Sequence, residues 1–177
     1  MDISKLQKGD LLFFMNDGSL IGNFISLFEG FKDCIHVAIY DCNGYLIESH
    51  IKTGVVRRKI TEKDTFEAKR VQKAYINLYT IDFNVLLIYL GTLIGRPYDV
   101  LPFPGAFLHT IVAKFFKWKR YRKTDDFLNN PRGYFCSELI TEAFHNLFIF
   151  SFTTCLHYRN VTPSILYRSH KLMKIDL

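Results

Sequence analysis

Short apolar runs separated by polar turns dominate the first half of the chain. Runs rich in β-branched and aromatic residues cover 9–15, 34–40, 45–50, 54–60 and 66–72. Their length and composition are typical of β-strands. The dipeptide Asn43-Gly44 between two of these runs is a strong signal for a β-hairpin. The first half is therefore predicted to form an antiparallel sheet, with one helix over 19–31, where the apolar residues recur at helical spacing.

The second half of the chain has a longer hydrophobic period. Apolar residues three and four positions apart over 82–95, 104–118 and 136–149 predict amphipathic helices. A short helical turn is expected over 162–169, where Pro163 suits a first helical position. A strand-rich half followed by a helix-rich half predicts an α+β fold. With no repeat or linker visible, residues 1–177 are expected to form one domain.

Composition and the N-terminal segment limit the cellular setting. Aromatic residues make up 16% of the 177 residues, enough for a sizeable core. The start "MDISKLQKGD" lacks the basic and apolar regions of a secretory signal, and the apolar run 83–95 is shorter than the roughly 20 residues that span a bilayer. We therefore expect a cytoplasmic protein that meets a membrane at most peripherally.

One of the four cysteines has an unusual position. In "GYFCSELITEAFH", Cys136 stands at the first turn of a predicted helix, in front of its apolar stripe. The four cysteines include no C-x-x-C pair, so neither a disulfide framework nor a zinc site is expected. A lone cysteine is most often an inert small hydrophobe of the core. The alternative at Cys136 is a reactive thiol.

The predicted hairpin carries a histidine on the strand face opposite to its isoleucines and valine. If the turn is a three-residue loop with Gly44 left-handed, His36 pairs with His50, and Glu48 shares the face of His36. A two-residue Asn-Gly turn would instead shift the register by one residue and send Glu48 to the other face. Cys34, two residues before His36, would also share the face of His36 and is an alternative thiol. The structural alternative for His36 is a half-buried strand histidine.

A cysteine nucleophile needs a neighbouring base to ionise it. A free thiol has a pKa near 8.5, and a helix N-terminus lowers this value by less than about one unit. A nearby imidazolium lowers it by several units, so His36 would supply most of the activation. Glu48 would orient the imidazole, with His50 as the alternative orienting group. Cys136, His36 and Glu48 are together chemically sufficient for nucleophilic catalysis.

Seven segments of the chain resemble the circularly permuted NlpC-type papain-like superfamily, and above all its YiiX-like group. In order, they are "KGDLLFF", "HVAIY", "YLIES", "GVVRRKIT", "GRPYDVL", "YFCSELI" and "VTPSIL", from about residue 8 to 168. Lecithin:retinol acyltransferase relatives are more distantly similar. The resemblance implies a papain-like fold, in which an antiparallel sheet packs against helices and the nucleophile opens a helix. The histidine strand precedes the cysteine helix here, as in the permuted group.

The resemblance also assigns roles to individual residues. It implies that Cys136 is the nucleophile, His36 its partner and Glu48 the polar residue of the following strand. It places Tyr98 close to the nucleophile, where an aromatic residue can assist the oxyanion, and it gives Asp10 a structural role. No metal or organic cofactor is implied.

The family includes peptidases, amidases and lipid acyltransferases. The expected function is therefore that of a thiol-protease-like hydrolase or an acyltransferase, acting on an amide, a peptide or a lipid ester through an acyl-enzyme. The alternative is a catalytically silent module on the same scaffold that binds a lipid or a protein.

The stretch 101–123 combines an apolar helical stripe with a basic end. Residues 114–123 carry six positive charges and no acid, which equals the formal net charge of the chain, +6. Basic and aromatic residues in this mixture suit an anionic membrane surface, so we expect membrane contact through Phe115, Lys117, Trp118 and Arg120. The alternatives are a core-facing helix with a solvated basic end and, less favoured because no nucleic-acid-binding fold is recognised, a nucleic-acid site.

Overall fold

The computed structural model of the chain describes residues 2–15, 34–99, 133–154, 156–157 and 161–177. The helices predicted over 19–31 and 104–118 lie outside these residues, and so does Cys155. The described residues form an α+β structure, as predicted.

Six strands and four helices follow a 3-10 turn at Ile3–Lys5 within the described ranges. In chain order they are β1 (Leu11–Met15), β2 (Cys34–Cys42), β3 (Tyr45–His50), β4 (Gly54–Lys59), β5 (Phe66–Val71), α1 (Lys73–Tyr79), α2 (Phe83–Thr92), α3 (Cys136–Phe148), α4 (Pro163–Tyr167) and β6 (Leu172–Ile175). The strands form one antiparallel sheet in the order β4-β3-β2-β1-β5-β6.

Two of these elements were not predicted. Strand β6 has only four residues and lies at the sheet edge beside β5, so its pattern is too short to read from sequence alone. Helix α1 has three half-buried residues, Tyr75, Ile76 and Tyr79, packed against the core. Because β-branched and aromatic residues have weak helix propensity, the packing of α1 explains its helical form better than its composition does.

The hairpin between β2 and β3 combines features of both predicted turns. Asn43 and Gly44 have φ values of 51° and 78°, which a two-residue type I′ turn requires, and they connect the paired residues Cys42 and Tyr45. A β-bulge then follows, between Tyr40 and Cys42, and shifts the register.

This bulge determines which side chains share a face. Beyond it, Tyr40 pairs with Leu46 and Ile39 with Ile47, the register that the three-residue loop predicted. Glu48 therefore lies on the same face as His36, Ala38 and Tyr40, despite the two-residue turn.

The sheet is covered on both faces. The larger cluster lies between the sheet and the helices, and includes Leu11, Phe13, Val37, Ile39, Ile47, Leu86, Leu90, Leu139, Ile140 and Phe144. A smaller cluster contains Leu6, Leu12, Ala38, Tyr40, Leu46, Phe66 and Ala68. The face of β2 that carries Ala38 and Tyr40 is therefore buried too, although its sequence indicated a more polar surface.

A second irregularity at the start of β2 changes the position of Cys34. Phe14 pairs with His36, but Met15 pairs with Cys34, so one residue of β2 is left over. The alternation of side chains between the two faces of β2 is broken at this point, and Cys34 lies in the same core cluster as Val37. The prediction that Cys34 shares a face with His36 is thus wrong, because a bulge separates the two residues.

No single helix of the described residues is long and apolar enough to cross a bilayer. Helices α1 and α2 reach the necessary length only as a pair, with a bend of 76° between them.

Candidate active site

Cys136 is the first residue of α3, as predicted. The helix follows Phe135, whose extended backbone makes it the N-cap, and the Leu139 N–H donates to the Phe135 carbonyl at 3.0 Å. The Phe135 N–H in turn donates to the Glu138 carboxylate at 3.3 Å, one half of a capping box. Backbone N–H groups at a helix N-terminus carry partial positive charge, and Cys136 lies at this end of the helix.

Side-chain hydroxyls fix the start of α3 against its surroundings. Ser137 Oγ donates to the Val161 carbonyl at 2.5 Å, and Ser49 Oγ of β3 donates to the Tyr134 carbonyl at 2.6 Å. Both serines are fully buried. The backbone on either side of Cys136 is therefore held in place, on one side directly by the sheet.

The segment with Tyr98 runs beside the residues that precede Cys136. The Tyr134 N–H donates to the Pro97 carbonyl at 3.1 Å, and the Asp99 N–H donates to the Tyr134 carbonyl at 3.2 Å. The ring of Tyr98 lies edge-on to Phe135, with 5.8 Å between centroids. Tyr98 thus lies close to the start of α3, and its oxyanion role stays a prediction.

The imidazole of His36 lies between the other two predicted residues. Its Nε2 is 2.8 Å from Glu48 Oε2, and Cys136 lies close enough to the same ring to raise its pKa. With Nε2 directed at the carboxylate, Nδ1 is the nitrogen left for the thiol. The ring also packs against Phe14, at 5.4 Å between centroids. The structure brings Cys136, His36 and Glu48 together.

The electrostatics of these groups favour an ionised arrangement. Burial opposes the charge on His36, but Cys136 and Glu48 outweigh it and raise the pKa of His36 to about 10. Burial likewise disfavours the Glu48 carboxylate, but hydrogen bonds and charge from His36 and Arg58 lower the pKa of Glu48 to about 2. Near neutral pH, the ring is therefore an imidazolium and Glu48 a carboxylate, to which Nε2–H donates.

Arg58, which the sequence did not single out, occupies the other oxygen of Glu48. Its Nε donates to Glu48 Oε1 at 2.7 Å, and its two terminal nitrogens donate to Asp64 at 2.9 and 3.0 Å. Arg58 pairs with Leu46 of β3, and is therefore a diagonal neighbour of Glu48 on the same sheet face. Knowledge of the β3–β4 register would have identified Arg58 as a neighbour of Glu48.

His50, the predicted alternative to Glu48, has different contacts. Its Nδ1 accepts the Lys52 N–H at 3.3 Å, and the ring is half-buried. Burial lowers the pKa of His50. Glu48 and not His50 holds the imidazole of His36 in this geometry.

Asp10 has the contacts of a structural residue. It is fully buried, and its two oxygens accept bonds from Arg70 at 2.7 and 2.8 Å. The Gln7 N–H also donates to it, at 2.7 Å. This carboxylate therefore joins β5 to the turn before β1.

The remaining predicted contacts concern membranes and metals. Phe115, Lys117, Trp118 and Arg120, the predicted membrane contacts, lie outside the described residues. Within the part of the chain that the structure describes, no group of three or more His, Cys, Asp or Glu side chains is placed to hold a metal ion.

Comparison of the chain with models of known protein families finds no match. Comparison with curated proteins finds none either.

Proposed function

We propose that the protein is a papain-like cysteine enzyme, a hydrolase or acyltransferase that forms an acyl-enzyme on Cys136. The observation that carries the proposal is that the imidazole of His36 hydrogen bonds to the Glu48 carboxylate and lies beside Cys136, and that both groups raise its pKa. A thiol, a base and a group that orients the base are the minimal parts of nucleophilic catalysis by cysteine.

Three further features support a papain-like arrangement. The cysteine opens a helix that packs on an antiparallel sheet, and the histidine and glutamate lie on neighbouring strands of that sheet. The chain order of histidine, glutamate and cysteine is the one the permuted group would have.

The chemistry then follows from the positions of the groups. The Cys136 thiolate adds to the carbonyl carbon of an amide, peptide or lipid ester, which forms a C–S bond. The imidazolium of His36 gives its proton to the departing amine or alcohol as the original C–N or C–O bond breaks. Water or an acceptor alcohol or amine, deprotonated by His36, next adds to the acyl carbon and expels the Cys136 thiolate.

Intact-mass spectrometry after exposure to activated acyl donors tests this proposal. The donors are the p-nitrophenyl esters of octanoic acid and of an N-acetylated amino acid, which represent lipid-like and peptide-like acyl groups. The wild type should gain the mass of one acyl group, and Cys136→Ala should not. Cys42→Ala is the matched control, because Cys42 is a half-buried cysteine on β2, outside the core cluster that contains Cys136. It should be acylated like the wild type.

The opposite result would favour the alternative function. If the folded wild type gains no acyl group from either donor, or if Cys136→Ala gains it equally, the thiol is not a nucleophile. A module that binds a lipid or protein without turnover would then be the better interpretation.

A further inference from the structure

A chain of ion pairs leads away from the imidazole of His36. The carboxylate of Glu48 accepts Nε2–H of His36 on Oε2 and Nε–H of Arg58 on Oε1. Both oxygens therefore have their own donor, on opposite sides of the group, so the carboxylate cannot rotate without breaking one of the two bonds. Glu48 is almost fully buried, so this rotation would also leave a charge without its partner.

Arg58 is itself held by a second carboxylate. Its two terminal nitrogens bind both oxygens of Asp64, the bidentate geometry that fixes a guanidinium plane most firmly. Asp64 is oriented in turn by the Thr61 N–H at 2.7 Å and the Thr61 hydroxyl at 2.9 Å, within the loop between β4 and β5. The loop thereby presents Asp64 to Arg58.

We propose that Arg58 is a positioning residue, which uses the hold of Asp64 to fix the Glu48 carboxylate and, through it, the His36 ring opposite Cys136. The inference rests on the proposed function. A lysine could supply the same charge, but it lacks the planar fork that reaches Glu48 and Asp64 at once. The requirement is thus for arginine, not for a positive charge alone.

The positioning role of Arg58 can be tested through the pKa of Glu48, which depends on the ionisable groups around that carboxylate. They are His36 on β2, His50 on β3, Arg58 on β4, Asp64 in the following loop and Cys136 on α3. Among them, His36 and Arg58 stabilise the carboxylate form of Glu48 through hydrogen bonds and charge. Removal of Arg58 should therefore raise the pKa of Glu48 and disorder its carboxylate.

The test compares Arg58→Met and Arg58→Lys with the matched control Arg57→Met. Arg57 is the neighbouring residue of β4, is also ion-paired, and binds Asp41 in place of Glu48. One readout is the ¹³C NMR titration of the Glu48 carboxyl group, and the other is the pH dependence of Cys136 alkylation by iodoacetamide. Arg58→Met should raise the pKa of Glu48 and move the acid limb of alkylation upward by about one pH unit, a change of about tenfold in rate below that limb.

Arg58→Lys should fall between the wild type and Arg58→Met, and Arg57→Met should match the wild type. If Arg58→Met titrates like Arg57→Met in both readouts, Arg58 has no positioning role. Should Arg58→Met fail to fold, Asp64→Asn keeps the guanidinium but weakens its hold. A shift in the same direction would support the proposal, and no shift would overturn it. Since the Glu48 titration needs no turnover, it decides on Arg58 even if the wild type fails to form an acyl-enzyme.

Discussion

The imidazole of His36 is where burial and charge oppose each other most directly. Burial alone would favour a neutral ring, and Cys136 and Glu48 reverse that preference. Cys136 contributes most to this reversal, and the ionised Glu48 adds to it through a hydrogen bond and its charge. Glu48 is therefore expected to matter for catalysis through its charge and its position together.

We predict that Glu48→Gln reduces acylation of Cys136 by about 10²–10⁴-fold, the range expected when acid–base catalysis is lost. Glutamine keeps the size of the side chain but removes the negative charge that favours the imidazolium. Stopped-flow release of p-nitrophenol measures the rate. The control is His50→Ala, because His50 makes no bond with His36 among the contacts described, and it should remain within about twofold of the wild type. A damaging His50→Ala with a silent Glu48→Gln would refute this assignment.

The pKa of Glu48 also predicts a stability change in acid. Because the pKa falls from 4.5 to about 2 on folding, the ionised carboxylate stabilises the protein fully above pH 4.5, and this contribution is lost as the pH falls toward 2. Urea denaturation should show a free energy of unfolding that decreases more steeply over this range in the wild type than in Glu48→Gln. Equal slopes in the two proteins would contradict the account. The raised pKa of His36 has the opposite pH dependence. Its contribution to the free energy of unfolding is complete below pH 6.5 and is lost as the pH rises toward 10.

At the scale of elements, the start of β4 joins the sheet to the segment that leads to Tyr98. The Val55 N–H donates to the Arg96 carbonyl at 2.8 Å, and the Gly95 N–H donates to the Val55 carbonyl at 2.9 Å. Gly54 permits this close approach, because a Cβ there would collide with the Arg96 carbonyl oxygen. The same segment continues into the backbone bonds with Tyr134, two residues before Cys136.

We therefore predict that Gly54→Ala destabilises the protein by more than Gly44→Ala. Both glycines have positive φ, 70° and 78°, so alanine costs about 1–2 kcal/mol of conformational strain at either position. Only Gly54→Ala adds a backbone collision, since no atom of the described residues lies within 4 Å of a Cβ at Gly44. The added cost should be about 1–3 kcal/mol in the free energy of unfolding, measured by urea denaturation. If the two variants lose equal free energy of unfolding, the segment that contains Arg96 moves freely to accommodate the added Cβ.

The sequence predicted elements better than it predicted register. Cys136 and His36 could be identified as site residues from the sequence, because each lies in a short motif within one clearly predicted helix or strand. The face of Glu48 depended on a bulge between Tyr40 and Cys42, and no hydrophobic pattern marks a bulge. Arg58 required the β3–β4 pairing as well, which is a long-range property of the folded sheet.

At the scale of the whole molecule, the membrane interaction predicted for 101–123 concerns residues outside those described. Because charge attracts a basic segment to an anionic leaflet by about 1 kcal/mol per residue, reversing two charges should weaken binding at least tenfold. We predict this loss for Lys117→Glu combined with Arg120→Glu, in sedimentation with vesicles containing phosphatidylserine. Phosphatidylcholine vesicles should bind little wild type, and added salt should release the protein from the anionic ones. If the wild type does not bind anionic vesicles at low salt, the sequence no longer supports a lipid substrate.

The central claim is that His36 activates Cys136, and competitive alkylation tests it most directly. Access alone would favour Cys42, which is half-buried, over Cys136 and Cys34, which are 1% and 0% exposed. Activation by His36 and the helix N-terminus reverses this order, because the thiolate is the reacting form. Limiting iodoacetamide near pH 6, followed by peptide mass spectrometry, should label Cys136 first in the wild type. It should label Cys42 ahead of Cys136 in His36→Gln. Labelling of Cys42 first in the wild type, or an unchanged order in His36→Gln, would contradict the account.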